Sequence, residues 1–228
     1  MATDNPSVSE MRISYDKDTL LESDLAATPL EQFNTWLHDA IALGTDQIIE
    51  PNAMVISTVD SDSVVSSRSV LLKGIDERGL TFFTNYGSKK AQDMAANAHV
   101  SVVFPWYPLH RQVIVTGTVT KVSREESEAY FQSRPHKSRL GAIASAQSAV
   151  ITSRDVLENR MAELESEYPE GTEIPMPDFW GGFLIDVTTM EFWQGRRSRL
   201  HDRLRFVRIE KNSNLNDASA WDVIRLSS

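Results

Sequence analysis

Residues Phe192 to Arg203, Phe-Trp-Gln-Gly-Arg-Arg-Ser-Arg-Leu-His-Asp-Arg, gather side chains that could do chemistry. Five of these twelve positions are arginine or histidine, in a chain whose formal net charge is -9. Arg199, His201 and Arg203 alternate with Leu200 and Asp202, so on a strand that begins at Arg199 all three project from one face. Such a row repels itself unless something anionic or electron-rich lies across it. A solvated basic edge strand has the same pattern. The adjoining Trp193 and Gln194, folded back beside the row by a turn at Gly195, favour a ligand.

Further clusters carry charge of the same sign. In Thr84-Asn85-Tyr86-Gly87-Ser88-Lys89-Lys90, Ser88 is a good helix N-cap and sets both lysines in the first turn. Cations there oppose the helix dipole, whereas free N–H groups and two ammonium groups together suit a phosphate. Lysines extended into water fit the sequence equally well. Arg68 and Lys73 precede this segment, and strict alternation sends them to opposite faces, so they share a ligand only if the strand bulges or wraps. Tyr130 and Arg134 are four apart on one helix face, with Ser138 just past Pro135. A phenol, a guanidinium fork and a hydroxyl suit phosphate, although a core tyrosine and a helix-capping arginine are the plainer reading. Gln112, Gln147 and Ser148 are amides and a hydroxyl that could read a polar ring edge, or simply face solvent.

The elements that must hold these groups are mostly strands. Strand periodicity runs over Met54–Val59, Ser67–Ile75, Leu80–Thr84, Val100–Phe104, Gln112–Val122, Gly182–Trp193, Arg199–Ile209 and Trp221–Leu226. Thr28-Pro29-Leu30-Glu31 opens a helix carrying Leu30, Phe33, Trp36, Leu37 and Ile41 at helical spacing. Other helices start at Ser88, at the capping box Ser123 to Glu126, and near Ser153 with Val156, Leu157, Met161 and Leu164 on one stripe. Short hairpin links predict antiparallel pairing, and a mainly β barrel with peripheral helices fits best. Residues 1–27 lack periodicity and read as a mobile arm; residues 28–228 read as one domain.

Composition removes several classes. The 228-residue chain has no cysteine, which excludes disulfides, thiolate metal sites and a cysteine nucleophile. Its five histidines are scattered and predict no metal site. Net negative charge argues against nucleic acid. The N-terminal residues hold no apolar run of a secretory signal, and no stretch is long enough to span a bilayer, so a soluble, cytoplasmic protein is expected. Walker, Rossmann and nucleophile-elbow motifs are absent.

Taken in order, Arg68-Ser69-Val70-Leu71-Leu72-Lys73, Phe82-Phe83-Thr84-Asn85, Gly87-Ser88-Lys89-Lys90, Phe104-Pro105-Trp106 and Arg111-Gln112-Val113 share one likeness. Tyr130-Phe131, Ser133-Arg134-Pro135, Gln147-Ser148, Phe179-Trp180-Gly181-Gly182-Phe183 and the opening motif continue it. From about Met11 to Leu226 the chain resembles the pyridoxamine 5'-phosphate oxidases. The resemblance implies an FMN-binding split β-barrel that forms a homodimer, with FMN in clefts at the subunit interface. It implies oxidation of pyridoxamine or pyridoxine 5'-phosphate to pyridoxal 5'-phosphate, with O2 reduced to hydrogen peroxide.

By the same resemblance, Arg68, Lys89 and Lys90 hold the FMN phosphate region, Leu71 lines the flavin, and Ser69, Val70, Leu72 and Lys73 also bind the cofactor. Phe83, Thr84, Gln112, Gln147, Ser148, Trp193 and Arg203 line the rest of the cofactor. Lys73, Tyr130, Arg134 and Ser138 grip the substrate phosphate. Arg199 and His201 act at the reacting end, and Arg12 and Tyr15 of the arm close over the substrate. Phe83 stands where a tyrosine is frequent in the family, and Lys89 where arginine is common. A flavin or deazaflavin reductase of the same fold would lack the substrate-phosphate cluster. A non-catalytic FMN or pyridoxal-phosphate carrier would not need Arg199, His201 and the arm.

Overall fold

The computed structural model describes residues 7–11, 13–211 and 213–228. Its centre is one antiparallel sheet of nine strands. In chain order these are β1 (Ala53–Val59), β2 (Val65–Leu71), β3 (Gly74–Asp76), β4 (Gly79–Asn85), β5 (His99–Trp106), β6 (Arg111–Lys121), β7 (Trp180–Gln194), β8 (Asp202–Arg208) and β9 (Trp221–Arg225). Among the described residues five α-helices surround it: α1 (Pro29–Ala42), α2 (Lys89–Ala96), α3 (Arg124–Ser133), α4 (His136–Ala144) and α5 (Asp155–Glu167).

Hydrogen bonding runs β2-β1-β5-β6-β7-β4-β3, with β8 and β9 added beside β7. The two ends of this path, β2 and β3, are consecutive in the chain and separated only by Leu72-Lys73. That covalent link brings the sheet's edges round toward one another without joining them, which is the mainly β split barrel expected from the sequence. The predicted single strand Ser67–Ile75 is therefore two. Leu72 N–H donates to Asn52 beside β1, and Lys73 N–H donates to Thr81 of β4, so the chain changes partners at that point.

β7 organises the sheet. Along one edge it pairs with β6 from Phe183 to Gln194, with a register shift at Thr116/Gly117. Along the other it pairs first with β4, from Trp180 to Ile185, and then with β8, from Thr189 to Gln194. Inward residues alternate as the pattern predicts: Met54, Ile56, Val102, Phe104, Val113, Val115, Ile185, Val187, Met190 and Phe192 are buried. α1 closes one end, with Phe33 and Trp36 against Phe104, Trp106 and Phe192. Thr28 caps it as predicted, its hydroxyl accepting from Glu31 N–H; Ile41, counted on the apolar face, is exposed.

A second, smaller core gathers Phe131, Leu140, Leu164, Ile174, Met176 and Trp180 under α3, α4 and α5. Of the stripe expected on α5 only Leu164 is fully buried, and Val156 is exposed. α4 is a helix the sequence pattern did not announce. Among the described residues no helix is long and apolar enough to cross a membrane.

Candidate functional site

Element ends, rather than middles, build the main cavity. β2 stops and β3 starts around Leu72-Lys73, β4 stops at Asn85, and α2 starts at Lys89 beyond its Ser88 cap. With α3, α4 and the start of β7 they enclose about 790 Å³. That volume suits a small-molecule or cofactor site. Of the expected site residues, Arg68, Ser69, Val70, Leu71, Lys73, Phe83, Thr84, Lys89, Lys90, Tyr130, Arg134, Ser138, Gln147 and Ser148 all line it. Arg68 and Lys73 meet there because the strand breaks between them. Leu72 does not join them; its side chain turns into the barrel core, 5% exposed.

The cavity is positive inside a negative protein. Five of its lining residues, Arg68, Lys73, Lys89, Lys90 and Arg134, are cations, and none is aspartate or glutamate. Their charges are not equally free. Lys89 is ion-paired with Asp60 at 3.0 Å and Asp93 at 2.5 Å, and those partners raise its pKa. Arg68 donates to Thr58 Oγ1 at 2.6 Å and Ser66 Oγ at 2.5 Å, with Asp93 3.8 Å away. Lys90 Nζ is different. Among the described residues it donates only to neutral oxygens, Thr84 Oγ1 and Gln147 Oε1 at 3.1 Å and Ser88 Oγ at 3.4 Å. Burial first, and then the charge of Arg68, push its pKa below the ordinary value.

One wall is aromatic. Phe83 and Tyr130 stack with centroids 4.0 Å apart, and Trp180 lies parallel to Phe83 at 5.6 Å. Gly182 and Gly181 face Phe83 and Thr84 across the β4–β7 register. A Cβ at Gly182 would press on the Phe83 ring at 2.7 Å, so the glycine lets the strands carry that ring. The Arg134 guanidinium lies over Trp180, 4.9 Å from its centroid. Its Nη1 is buried with no hydrogen-bond partner among the described residues, and burial lowers its pKa. An orphaned guanidinium N–H, a buried ammonium paired only with neutral oxygens and a flat aromatic wall fit phosphorylated planar ligands. FMN and a pyridoxine-type phosphate are both of this chemistry.

The other expected residues lie at the far end of β7. Gln112, Trp193 and Arg203 stand side by side on β6, β7 and β8, in one cross-strand row. Arg203 and Arg205 clasp the buried Glu191 at 2.7 and 2.6 Å. Burial alone would raise the Glu191 pKa; the two arginines outweigh it and hold it low. Trp193 packs against His201 at 4.5 Å, and Tyr15 sits edge-on to both. From Trp180 to Trp193 the strand contour is about 40 Å at roughly 3.3 Å per residue. Within one protomer the two clusters therefore sit at opposite ends of β7.

Arg199 departs from expectation. β8 begins at Asp202, and Arg197–Arg199 is a 3-10 turn in which Ser198 and Arg199 take φ values of 57° and 62°. Asp202 opposes Gln194 in the β7–β8 register. The short connection must reverse within seven residues, which leaves no room for an extended Arg199. Arg199 and His201 thus precede the strand, and the alternating row is lost. His201 Nδ1 accepts from Arg196 N–H at 3.0 Å. Burial and the charge of Arg199 lower its pKa, against Asp202. Arg12 lies outside the described residues, as do residues 1–6 of the arm.

Left-handed backbone outside glycine occurs, among the described residues, at Ser63, His110, Ser148, Ser198 and Arg199. All but Ser63 border one of the two clusters, and such conformations gather where structure over-determines the chain. Trp180, Asn85 and Ser145 also line the cavity. They had no assigned role, although Trp180 stands within the aromatic-glycine stretch that carried the resemblance. Asn85 could be read as an Asx turn: its Oδ1 accepts from Gly87 N–H at 2.7 Å.

Comparison with known proteins bears on both clusters. Residues 45–168 match the family described as "Pyridoxamine 5'-phosphate oxidase". Residues 180–228 match "Pyridoxine 5'-phosphate oxidase C-terminal dimerisation region". A pyridoxine/pyridoxamine 5'-phosphate oxidase of Streptomyces avermitilis is 50% identical over 218 residues, covering 95% of this chain and 94% of its own. One from Cupriavidus taiwanensis is 48% identical over 220 residues, covering 96% and 98%. Among solved structures, PhzG from Burkholderia lata, in complex with tetrahydrophenazine-1-carboxylic acid, superposes with TM-score 0.81 at 27% identity, covering 92% of this chain and 98% of its own. An FMN-binding protein of Nostoc punctiforme shares the fold with TM-score 0.66 at 17% identity, covering 90% and 99%. Half-identical relatives matched along almost their entire lengths, and family matches on both sides of the cavity, leave one conclusion: the chain belongs to the pyridoxamine 5'-phosphate oxidase family.

Proposed function

We propose that the protein is an FMN-dependent oxidase that converts pyridoxamine and pyridoxine 5'-phosphates to pyridoxal 5'-phosphate. The observation that carries this reading is the cavity itself, five cations and no carboxylate beside a wall of three parallel rings. Two phosphates and two flat rings need that combination. Relatives half identical to the chain carry the oxidase name.

Lys90, which has no carboxylate partner among the described residues, is assigned to the FMN phosphate region with Arg68 and Lys89. Thr84, Gln147 and Ser148 meet the polar edge of the flavin. Lys73, Tyr130, Arg134 and Ser138 hold the substrate phosphate, Arg134 through its free Nη1. When bound, the flavin supplies the hydride acceptor and, with O2, the route to hydrogen peroxide. The chain's own work is to align the substrate C4' carbon, exclude water and balance charge. His201, with Nδ1 already accepting a hydrogen bond, presents Nε2 to the reacting end. Arg199 adds positive charge there. Overall, pyridoxamine 5'-phosphate, O2 and water give the aldehyde, ammonia and hydrogen peroxide.

The roughly 40 Å of β7 between the two clusters supports a homodimer with FMN at the interface. In that arrangement Gln112, Trp193, Arg203, Arg199 and His201 come from the partner subunit. Tyr15, with Arg12, covers the substrate as the lid within the arm of residues 1–27, and residues 28–228 form the single barrel domain. The reaction is assigned to the cytoplasm.

The test is an aerobic assay of FMN-saturated protein with pyridoxamine 5'-phosphate, following aldehyde and peroxide together. Equimolar formation of both is expected. A yellow protein inert toward both phosphates would be a carrier instead.

A further inference from the structure

One carboxylate, Asp202, joins three segments distant in sequence. Its Oδ2 accepts from Leu20 N–H at 3.1 Å and from Arg196 Nη1 at 2.9 Å, and its Oδ1 accepts from Arg225 Nη1 at 2.9 Å. Its side chain is only 13% exposed. Arg225 extends the link, donating to Leu20 O at 3.1 Å and to both Glu22 oxygens at 2.7 and 2.9 Å. Leu20 itself is buried. The first residue of β8 and the last of β9 thus grip the N-terminal segment at one point.

From that point the segment runs back to Tyr15 along further ties. Asp18 pairs with Arg111 at 3.2 Å, Lys17 Nζ donates to Pro108 O at 2.7 Å, and Asp16 pairs with Arg197 at 3.1 Å. These ties are exposed, and pairs of that kind are individually weak. Tyr15 ends packed among His110 at 4.7 Å, His201 at 5.8 Å and Trp193 at 5.9 Å.

Asp202 also reaches His201 by a second route. It holds the Arg196 side chain, and the Arg196 backbone N–H donates to His201 Nδ1. With Nδ1 an acceptor, the neutral imidazole carries its proton on Nε2.

We propose that Asp202 is a positioning residue for the reaction, holding the N-terminal segment at Leu20 and the turn at Arg196 so that Tyr15 and His201 are set against each other. This rests on the oxidase reading above. Asp202 acts through Leu20, Arg196 and Arg225, and its charge matters because two of its three donors are guanidinium groups. Asparagine keeps the size but loses one acceptor and the charge.

The experiment compares FMN-loaded wild type with Asp202→Asn, Asp202→Glu and Glu22→Gln. Its readouts are the rate of tryptic cleavage after Lys17, the ring 15N resonances of His201 (assigned by their loss in His201→Asn), and kcat and KM for pyridoxamine 5'-phosphate. Asp202→Asn is expected to speed cleavage about tenfold, since cleavage tracks the open population. It is expected to move the His201 resonances toward mixed tautomers and to lower kcat/KM about tenfold with FMN content unchanged. Asp202→Glu restores part of each. Glu22→Gln speeds cleavage and leaves the His201 resonances in place. Wild-type cleavage and wild-type ring signals in Asp202→Asn overturn the proposal, even if activity falls. Should Asp202→Asn fail to fold, unchanged cleavage in both Glu22→Gln and Arg225→Gln overturns it equally. Altered cleavage and ring signals in a protein whose wild type turns nothing over would sink the oxidase reading and keep the coupling.

Discussion

Arg134 lies over the indole of Trp180, 4.9 Å from its centroid, with Nη1 buried and unpartnered. The indole supports the cation through its face while leaving its hydrogen-bonding fork free for an anion. A hydrogen bond to a charged group contributes about 1.5–3 kcal/mol. Arg134→Ala is therefore expected to raise KM for pyridoxamine 5'-phosphate by about 100-fold while FMN content stays at wild-type level. Steady-state kinetics and flavin absorbance check this, and parallel loss of flavin would move Arg134 to the cofactor.

Lys90 gives a pH prediction. Its pKa is below 10.5 in the free protein because of burial and then Arg68. A bound phosphate favours the charged form, so binding takes up a proton once the free lysine has lost one. FMN affinity is expected to hold at neutral pH and to weaken as pH rises through the lowered pKa, by up to about tenfold per pH unit. Lys90→Arg should remove that slope. Flavin fluorescence titrations from neutral to alkaline pH measure it; an identical slope in the variant would exonerate Lys90.

Glu191 concerns stability. Its folded pKa lies below the ordinary 4.5, held there by Arg203 and Arg205 against the effect of burial. The stabilisation is complete above 4.5 and is lost as pH falls through the lowered value. Glu191→Gln is expected to destabilise the protein by about 2–3 kcal/mol at neutral pH, less than a fully buried pair because both arginines are partly exposed. Denaturant melts of variant and wild type should differ at neutral pH and converge at acid pH.

Gly182 tests the aromatic wall. A Cβ there would meet both the Phe83 ring and Val122 at 2.7 Å. Gly182→Ala is expected to cost about 1–3 kcal/mol through overpacking and to tilt Phe83 out of its stack. Denaturant unfolding with FMN titration checks both. Full stability and full affinity would mean that the strands separate freely at that point.

Much of the fold was legible in the chain. Strand alternation, the Thr28 and Ser123 caps and the short hairpin links announced a mainly β protein, because those signals act between neighbours in sequence. α4 was not announced: its small residues carry little periodicity, and it forms because Leu140 closes the second core. Arg199 was misread as a strand residue because alternation is blind to where β7 releases the chain. The meeting of Arg68 with Lys73 depended on the strand break at Leu72, which two separate pairing partners impose.

By itself the sequence determined which chemistry was available: clustered cations, aromatic rings, no thiols, and an ordered set of motifs resembling one family. Tertiary structure alone decided which of those groups share a space. It turned five cations into one cavity, tied Lys89 to Asp60 and Asp93 while leaving Lys90 and Arg134 with no carboxylate partner among the described residues, and set Trp193 and Arg203 at the far end of β7. The reason is physical. Residue type sets charge and reach, but burial and the choice of hydrogen-bond partner arise only when distant segments pack together.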